Sequence, residues 1–207
     1  MIYPRNGVLL EIEDGSLDED RLSELVKTVE GVFLTKSFLL TNEISLVKKI
    51  EHIIGNKLLF LDLRFEHPLL EDYKPFEVIL EDIQSDTITV MGMYGKESIL
   101  TAFKYIKKNV AAIIDIGTEG YRIDHPDKAV ISYAKTARDC GCRSVIMTSC
   151  FPERIRKVRH SLGEDFEIIS VNSKGNPLDK GRKAGANLEI IPNSVWTTMN
   201  TDISSIP

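Results

Sequence analysis

Eight short apolar runs, alternating with segments of helical periodicity, constrain this chain more than any other feature. The runs cover residues 8–12, 31–35, 58–63, 87–91, 111–116, 144–148, 166–171 and 188–191, at a spacing of roughly 20 to 30 residues. Continuous apolar runs of this length are what strands covered on both faces look like. Helical patterns fill the gaps at 18–29, 43–53, 69–83, 97–107, 127–139, 152–162 and 178–184. Asp18 and Asn42 are expected N-caps, and Pro126 and Pro152 suit a first helical turn. Gly55, Gly141, Gly163 and Gly185 each follow a helical pattern and precede a strand, as helix-stopping glycines do.

Strands alternating with helices pair in parallel through right-handed crossovers. Eight of them in this order fit an α/β fold of the (β/α)8 TIM-barrel type better than an open doubly wound sheet. The 207 residues fall below the ~250 typical of that barrel, so the last helix is expected to be truncated or missing. No linker or low-complexity stretch interrupts the pattern, and one barrel domain over 1–207 is expected.

The totals exclude several classes of function. A net charge of −5, without a basic run interleaved with aromatics, argues against a nucleic-acid surface. No apolar stretch approaches the ~20 residues of a membrane span. Cys140, Cys142 and Cys150 are odd in number and lack zinc spacing, so a reducing, cytoplasmic setting is expected.

In such a barrel, chemistry belongs at the carboxyl ends of the strands. The third run ends in a burst of charge: Asp62, Arg64, Glu66 and His67. Asp62, Arg64 and Glu66 share a face if the strand stays extended. Asp62 and Arg64 can equally be a structural ion pair at a barrel rim. Glu11 and Glu13 also share a face, and an inward pair would need a cation such as Arg64 or Lys36; outward, at a frayed strand end, they need none. Asp115, Thr148 and Ser149 end strands five and six. His67 is a candidate proton shuttle or ligand, but His52, His125 and His160 are scattered, so no histidine metal site is expected; Asp62, Glu66 and Glu13 offer oxygens to a hard cation, though nothing requires one. Pro192 lacks an N–H and Asn193 carries no charge, which makes the loop after strand eight a poor anion cradle.

Taken together, these residues resemble the orotidine 5′-phosphate decarboxylase family, particularly its short archaeal-type members. The stretch Leu61-Asp62-Leu63-Arg64-Phe65-Glu66-His67 stands where that family carries Asp-x-Lys-x-x-Asp. Ile88-Thr89-Val90-Met91-Gly92 and Phe151-Pro152-Glu153-Arg154-Ile155 resemble its fourth strand and the start of its sixth helix. The segments 165–170 and 183–191 are similar to its last two strands, and Ser194-Val195-Trp196 to the start of its terminal segment.

The resemblance implies a cofactor-free lyase, converting orotidine 5′-phosphate to UMP in pyrimidine biosynthesis, and a homodimer with a nucleotide or sugar-phosphate ligand. On that pattern Asp62 is the acid that crowds the substrate carboxylate. Arg64 stands in place of the proton-donating Lys, and His67 in place of the second Asp. Lys36 lies near the position of the strand-two Lys, which aligns with Phe33. Glu13 falls where a ribose-contacting Asp is expected, Thr148 is a further substrate-contact candidate, and Pro192-Asn193 replace a phosphate-gripping Gly-Arg pair. A guanidinium is a poor proton donor. The departures therefore open a second expectation, a non-catalytic paralogue that binds a partner or small ligand. A third is another sugar-phosphate lyase of the same superfamily.

Overall fold

The computed structural model describes residues 6–13, 18–65, 76–106, 108–115, 125–173 and 176–198. Eight parallel strands close on themselves in chain order: β1 (Gly7–Ile12), β2 (Gly31–Leu34), β3 (Leu58–Phe65), β4 (Thr87–Met91), β5 (Asn109–Asp115), β6 (Ser144–Thr148), β7 (Glu167–Val171) and β8 (Leu188–Ile191). The helices are α1 (Glu19–Leu25), α2 (Lys36–Thr41), α3 (Ile44–Ile54), α4 (Glu77–Asp82), α5 (Lys96–Tyr105), α6 (Pro126–Asp139), α7 (Pro152–Leu162), α8 (Lys180–Lys183) and α9 (Asn193–Trp196). This is the expected (β/α)8 barrel, and the helix after β8 is a single turn among the described residues. Of the helix expected at 69–83, residues 69–75 lie outside the described residues.

Strand alternation sorts the core into two layers. Leu9, Phe33, Phe60, Met91, Ala111, Ile113, Ile146, Ile169, Leu188 and Ile190 fill the barrel interior. Their neighbours in sequence, such as Val8, Leu10, Val32, Leu59 and Leu61, face outward against the helices. Because both faces of every strand are buried, apolar runs rather than alternation mark the strands.

Two local expectations are corrected. Asn42 does not cap α3: Glu43 precedes that helix, and Asn42 Nδ2 donates to the Phe38 carbonyl at the end of α2. The helix α2 was itself unforeseen. It starts directly on Thr35, whose hydroxyl accepts the Phe38 N–H, so the turn begins where the strand was expected to continue. Asp18 caps α1 as expected, accepting from the Arg21 N–H at 3.0 Å.

Close approach requires glycine at Gly181, as it does at Gly31 against the Leu58 carbonyl. A Cβ on Gly181 would stand 2.0 Å from Ser170 Oγ. Its absence lets α8 press against β7 and β8, so that the N–H groups of Gly181 and Arg182 reach the fully buried Glu189.

Candidate functional site

The carboxyl ends of the strands surround a cavity of about 150 Å³ lined by Glu11, Phe33, Arg64, Ile113, Asp115, Ile146, Thr148, Val171 and Ser173. A larger depression of about 530 Å³ lies at the opposite end of the barrel. Its charged groups serve the scaffold there: Glu51 accepts from the Gln84 N–H, Asp86 from the Leu59 N–H, and Lys57 donates to the Val29 carbonyl. Barrel chemistry sits at the carboxyl face, so the smaller cavity is the candidate site.

A closed polar triad stands at this face. Asp62 is fully buried. Its Oδ2 accepts from Arg64 Nε and its Oδ1 from Thr89 Oγ1, each at 2.7 Å. The same Thr89 hydroxyl accepts the Arg64 backbone N–H at 3.1 Å. Burial raises the Asp62 carboxyl above its usual range; the Arg64 charge, the Thr89 hydroxyl and, least, Lys36 pull it back.

This triad depends on an irregular strand. Between the pairs Leu61↔Ile88 and Phe65↔Val90, β3 advances four residues while β4 advances two. Arg64 lies inside that bulge with φ +45°, a left-handed conformation uncommon for a side chain of this size. The extended geometry assumed for Asp62, Arg64 and Glu66 therefore ends at Arg64. Bulges re-aim side chains, and here the bulge folds the guanidinium back onto Asp62. Glu66 and His67 lie outside the described residues.

Glu11 supplies the second polar element. Its Oε2 accepts the Asn193 N–H at 3.2 Å, and its own carbonyl accepts from Trp196 Nε1 at 2.7 Å. Burial raises the Glu11 carboxyl; the Asn193 N–H offsets this, while the charges of Glu13 and Asp62 add to it. Asn193 thus enters the site through its backbone, and the donor at the start of α9 is already filled by the chain's own carboxylate.

Asp115, on β5, is paired with Arg154 of α7 (Oδ2 to Nη1, 3.0 Å). Arg154 also reaches Asp127 and lies 4.0 Å over the Phe151 ring. Thr148 is buried, lines the cavity and accepts the Cys150 N–H. Cys150 Sγ and Ser173 Oγ share a hydrogen bond at 3.1 Å, which together with Thr148 lowers the Cys150 thiol below its ordinary value.

Of the residues singled out in the sequence, Glu11, Arg64, Asp115 and Thr148 line the cavity, while Asp62 is buried against Arg64 and the Asn193 N–H is bound to Glu11. Lys36 opens α2, half-buried, within electrostatic reach of Asp62 but in no ion pair among the described residues. Glu13 follows β1, exposed, and does not line the cavity. Thr89 and Arg154 had been quoted only for resemblance. Thr89's place on an inward β4 position was the one legible signal; Arg154 had none. No group of three His, Cys, Asp or Glu among the described residues could hold a metal ion.

Fold and site together define a closed (β/α)8 barrel with a small, charge-paired mouth. The chain is similar to the solved orotidine 5′-monophosphate decarboxylase of Metallosphaera sedula, with TM-score 0.77 and 20% identity over 93% of this chain and 91% of that one. It is similar to the orotidine 5′-phosphate decarboxylase of Pyrococcus horikoshii OT3, with TM-score 0.76 and 15% identity over 93% and 92%. An uncharacterized conserved protein from Geobacillus kaustophilus shares the fold at TM-score 0.72 and 16% identity over 93% and 94%. No family model and no curated protein matches. At these identities the likeness is one of fold. Among the described residues, no helix is long and apolar enough to cross a membrane.

Proposed function

We propose that this chain is an orotidine 5′-phosphate decarboxylase-type barrel that does not decarboxylate and instead binds a small ligand at its mouth. One observation carries the reading: Asp62 is neutralised and hydrogen-bonded on both oxygens by Arg64 and Thr89. An acid that strains a substrate carboxylate must keep its charge uncompensated on the substrate side. A guanidinium beside it holds its proton throughout, so it compensates the acid and cannot serve as a general acid near neutral pH.

Two further features support the same reading. The Asn193 N–H, at the position of the phosphate-gripping pair, is taken by Glu11, so a phosphate would have to displace a carboxylate. The cavity is about 150 Å³, below the ~300 Å³ at which pockets for larger ligands begin. Purified protein should leave the ultraviolet absorbance of orotidine 5′-phosphate unchanged over hours, and UMP should not raise its melting temperature. Turnover above the uncatalysed rate sinks the proposal.

Among the described residues, a decarboxylase reading survives through Lys36, whose charge acts on Asp62; it requires activity that Lys36→Ala removes. Self-association belongs to the proposal as well. Leu40 on α2 and Tyr94 after β4 expose large apolar side chains, and a homodimer is the expected mass by light scattering.

A further inference from the structure

The mouth cavity presents charges of both signs, and this narrows what it can hold. Arg64 spends its Nε on Asp62 and leaves both Nη groups without a partner among the described residues, with the side chain 47% exposed. Glu11 spends Oε2 on the Asn193 N–H and leaves Oε1 likewise without one. Both side chains line the cavity, together with Asp115, which is paired with Arg154, the hydroxyls of Thr148 and Ser173, and an apolar wall of Phe33, Ile113, Ile146 and Val171.

The barrel order places these groups around the ring. Glu11 stands on β1 and Arg64 on β3, with the β2 residue Phe33 between them. Thr148 and Ser173 stand across the mouth on β6 and after β7. The Thr148 hydroxyl accepts the Cys150 N–H and also faces the Cys150 thiol.

Single-charge ligands fit this arrangement poorly. A phosphate monoester would face Glu11, with Asp62 behind it, and find the α9 donor occupied. A simple amine would face the Arg64 guanidinium. A simple carboxylate would match the Arg64 fork but lie against Glu11, and like charges at such short range are costly where water is scarce.

We infer that the mouth is a site for a small zwitterionic α-amino acid, its carboxylate on the Nη groups of Arg64, its ammonium on Glu11 Oε1 and its side chain against the Phe33–Ile113–Ile146–Val171 wall. The volume sets the size. A cavity of about 150 Å³ lies well below the ~300 Å³ at which pockets for larger ligands begin, which points to a small ligand. Alanine and valine are small in this sense, and aromatic amino acids are not. This assignment rests on the non-catalytic reading of the site and names its ligand class.

The test is a melting-temperature panel on the intact protein at pH 7.5, with probes at 10 mM: L-alanine, L-valine, L-phenylalanine, propionate, ethylamine, inorganic phosphate and UMP, followed by calorimetry on any hit. Alanine or valine should raise the melting temperature by at least 2 °C, with the single-charge probes and phenylalanine producing no shift. Arg64→Lys keeps a charge beside Asp62 but loses the fork, and Glu11→Gln keeps the Asn193 contact but loses the charge; each should weaken binding at least tenfold. If either variant fails to fold, the wild-type panel decides alone. The inference is overturned if no amino acid shifts the melt, or if propionate or ethylamine shifts it as much. A shift with propionate alone removes the zwitterion and leaves the non-catalytic reading standing. UMP binding with turnover of orotidine 5′-phosphate removes both.

Discussion

Replacing Arg64 with Met should make folding stability depend on pH through Asp62. The Asp62 carboxyl has no contact with water, and burial already raises it, with Arg64 as the largest counterweight. Methionine keeps much of the apolar stem and removes the counterweight, so the carboxyl moves further up. The penalty has a ceiling, because a buried carboxylate that is too unfavourable takes up a proton. At pH 7, protonating a group whose unfolded pKa is about 3.9 costs about 1.36 kcal/mol for each of roughly three pH units, or about 4 kcal/mol. Breaking a buried pair from one side costs about 3–5 kcal/mol, which agrees. Arg64 is half exposed and part of the penalty already exists in the wild type, so a loss of about 2–3 kcal/mol at pH 7 is expected.

The sign follows from the direction of the shift. A carboxyl raised by folding favours the fold below its unfolded pKa, and that advantage is lost as pH rises toward the folded value. The deficit of the variant should therefore be smallest near pH 4.5 and grow through pH 6.5 to pH 8. Urea titrations at these three values, followed by the fluorescence of the single, buried Trp196, measure it directly. A second change, Asp62→Asn in the Arg64→Met background, should flatten the pH dependence. If Arg64→Met shifts the urea midpoint by the same amount at every pH, Arg64 acts through packing and the charge argument is wrong.

Three other outcomes follow from the geometry. Arg159 is almost fully buried and donates to the carbonyls of Gly163, Phe166 and Gly185; Arg159→Met orphans them and should cost about 3–5 kcal/mol, read as a melting temperature lower by about 10 °C. Iodoacetamide at pH 7.5, followed by peptide mass analysis, should label Cys150 first, since its thiol is exposed and lowered; Cys142, buried and pushed up to about 12, should react last. Gly181→Ala drives a methyl group into Ser170 and should destabilise by about 1–3 kcal/mol in chemical denaturation.

The barrel was legible because its strands are buried on both faces: the expected runs 87–91, 144–148 and 188–191 match β4, β6 and β8 residue for residue. Helix α2 was not, since 36–41 is too short to show helical periodicity and its first turn rests on a single hydroxyl, that of Thr35. At the site, residue types were legible, and so was the Asp62–Arg64 ion pair; the partners distant in sequence were not. Thr89 meets Asp62 across 27 residues, Arg154 meets Asp115 across 39, and Asn193 meets Glu11 across 182. Asn193 shows the physical reason most clearly. Its side chain was weighed for charge, whereas its part in the site is played by a backbone N–H, which every residue except proline carries. Nor does any composition rule announce a positive φ at an arginine; the bulge that aims Arg64 is a property of how β3 and β4 pair.

These partnerships bear on what the mouth can do. A site that accelerates a reaction holds charges in arrangements that only the transition state satisfies, and the scaffold carries the cost. Here the ground state already satisfies much of that charge: Asp62 with Arg64 and Thr89, Asp115 with Arg154, Glu11 with the start of α9. Binding energy of the same kind goes into the fold, because removing one partner leaves a buried charge behind. The Arg64→Met titration therefore tests more than one ion pair. A large, pH-dependent loss means that Asp62 is held in the barrel as half of a charge pair. A small loss means that Asp62 tolerates being unpaired, which is the property a strained catalytic carboxylate needs.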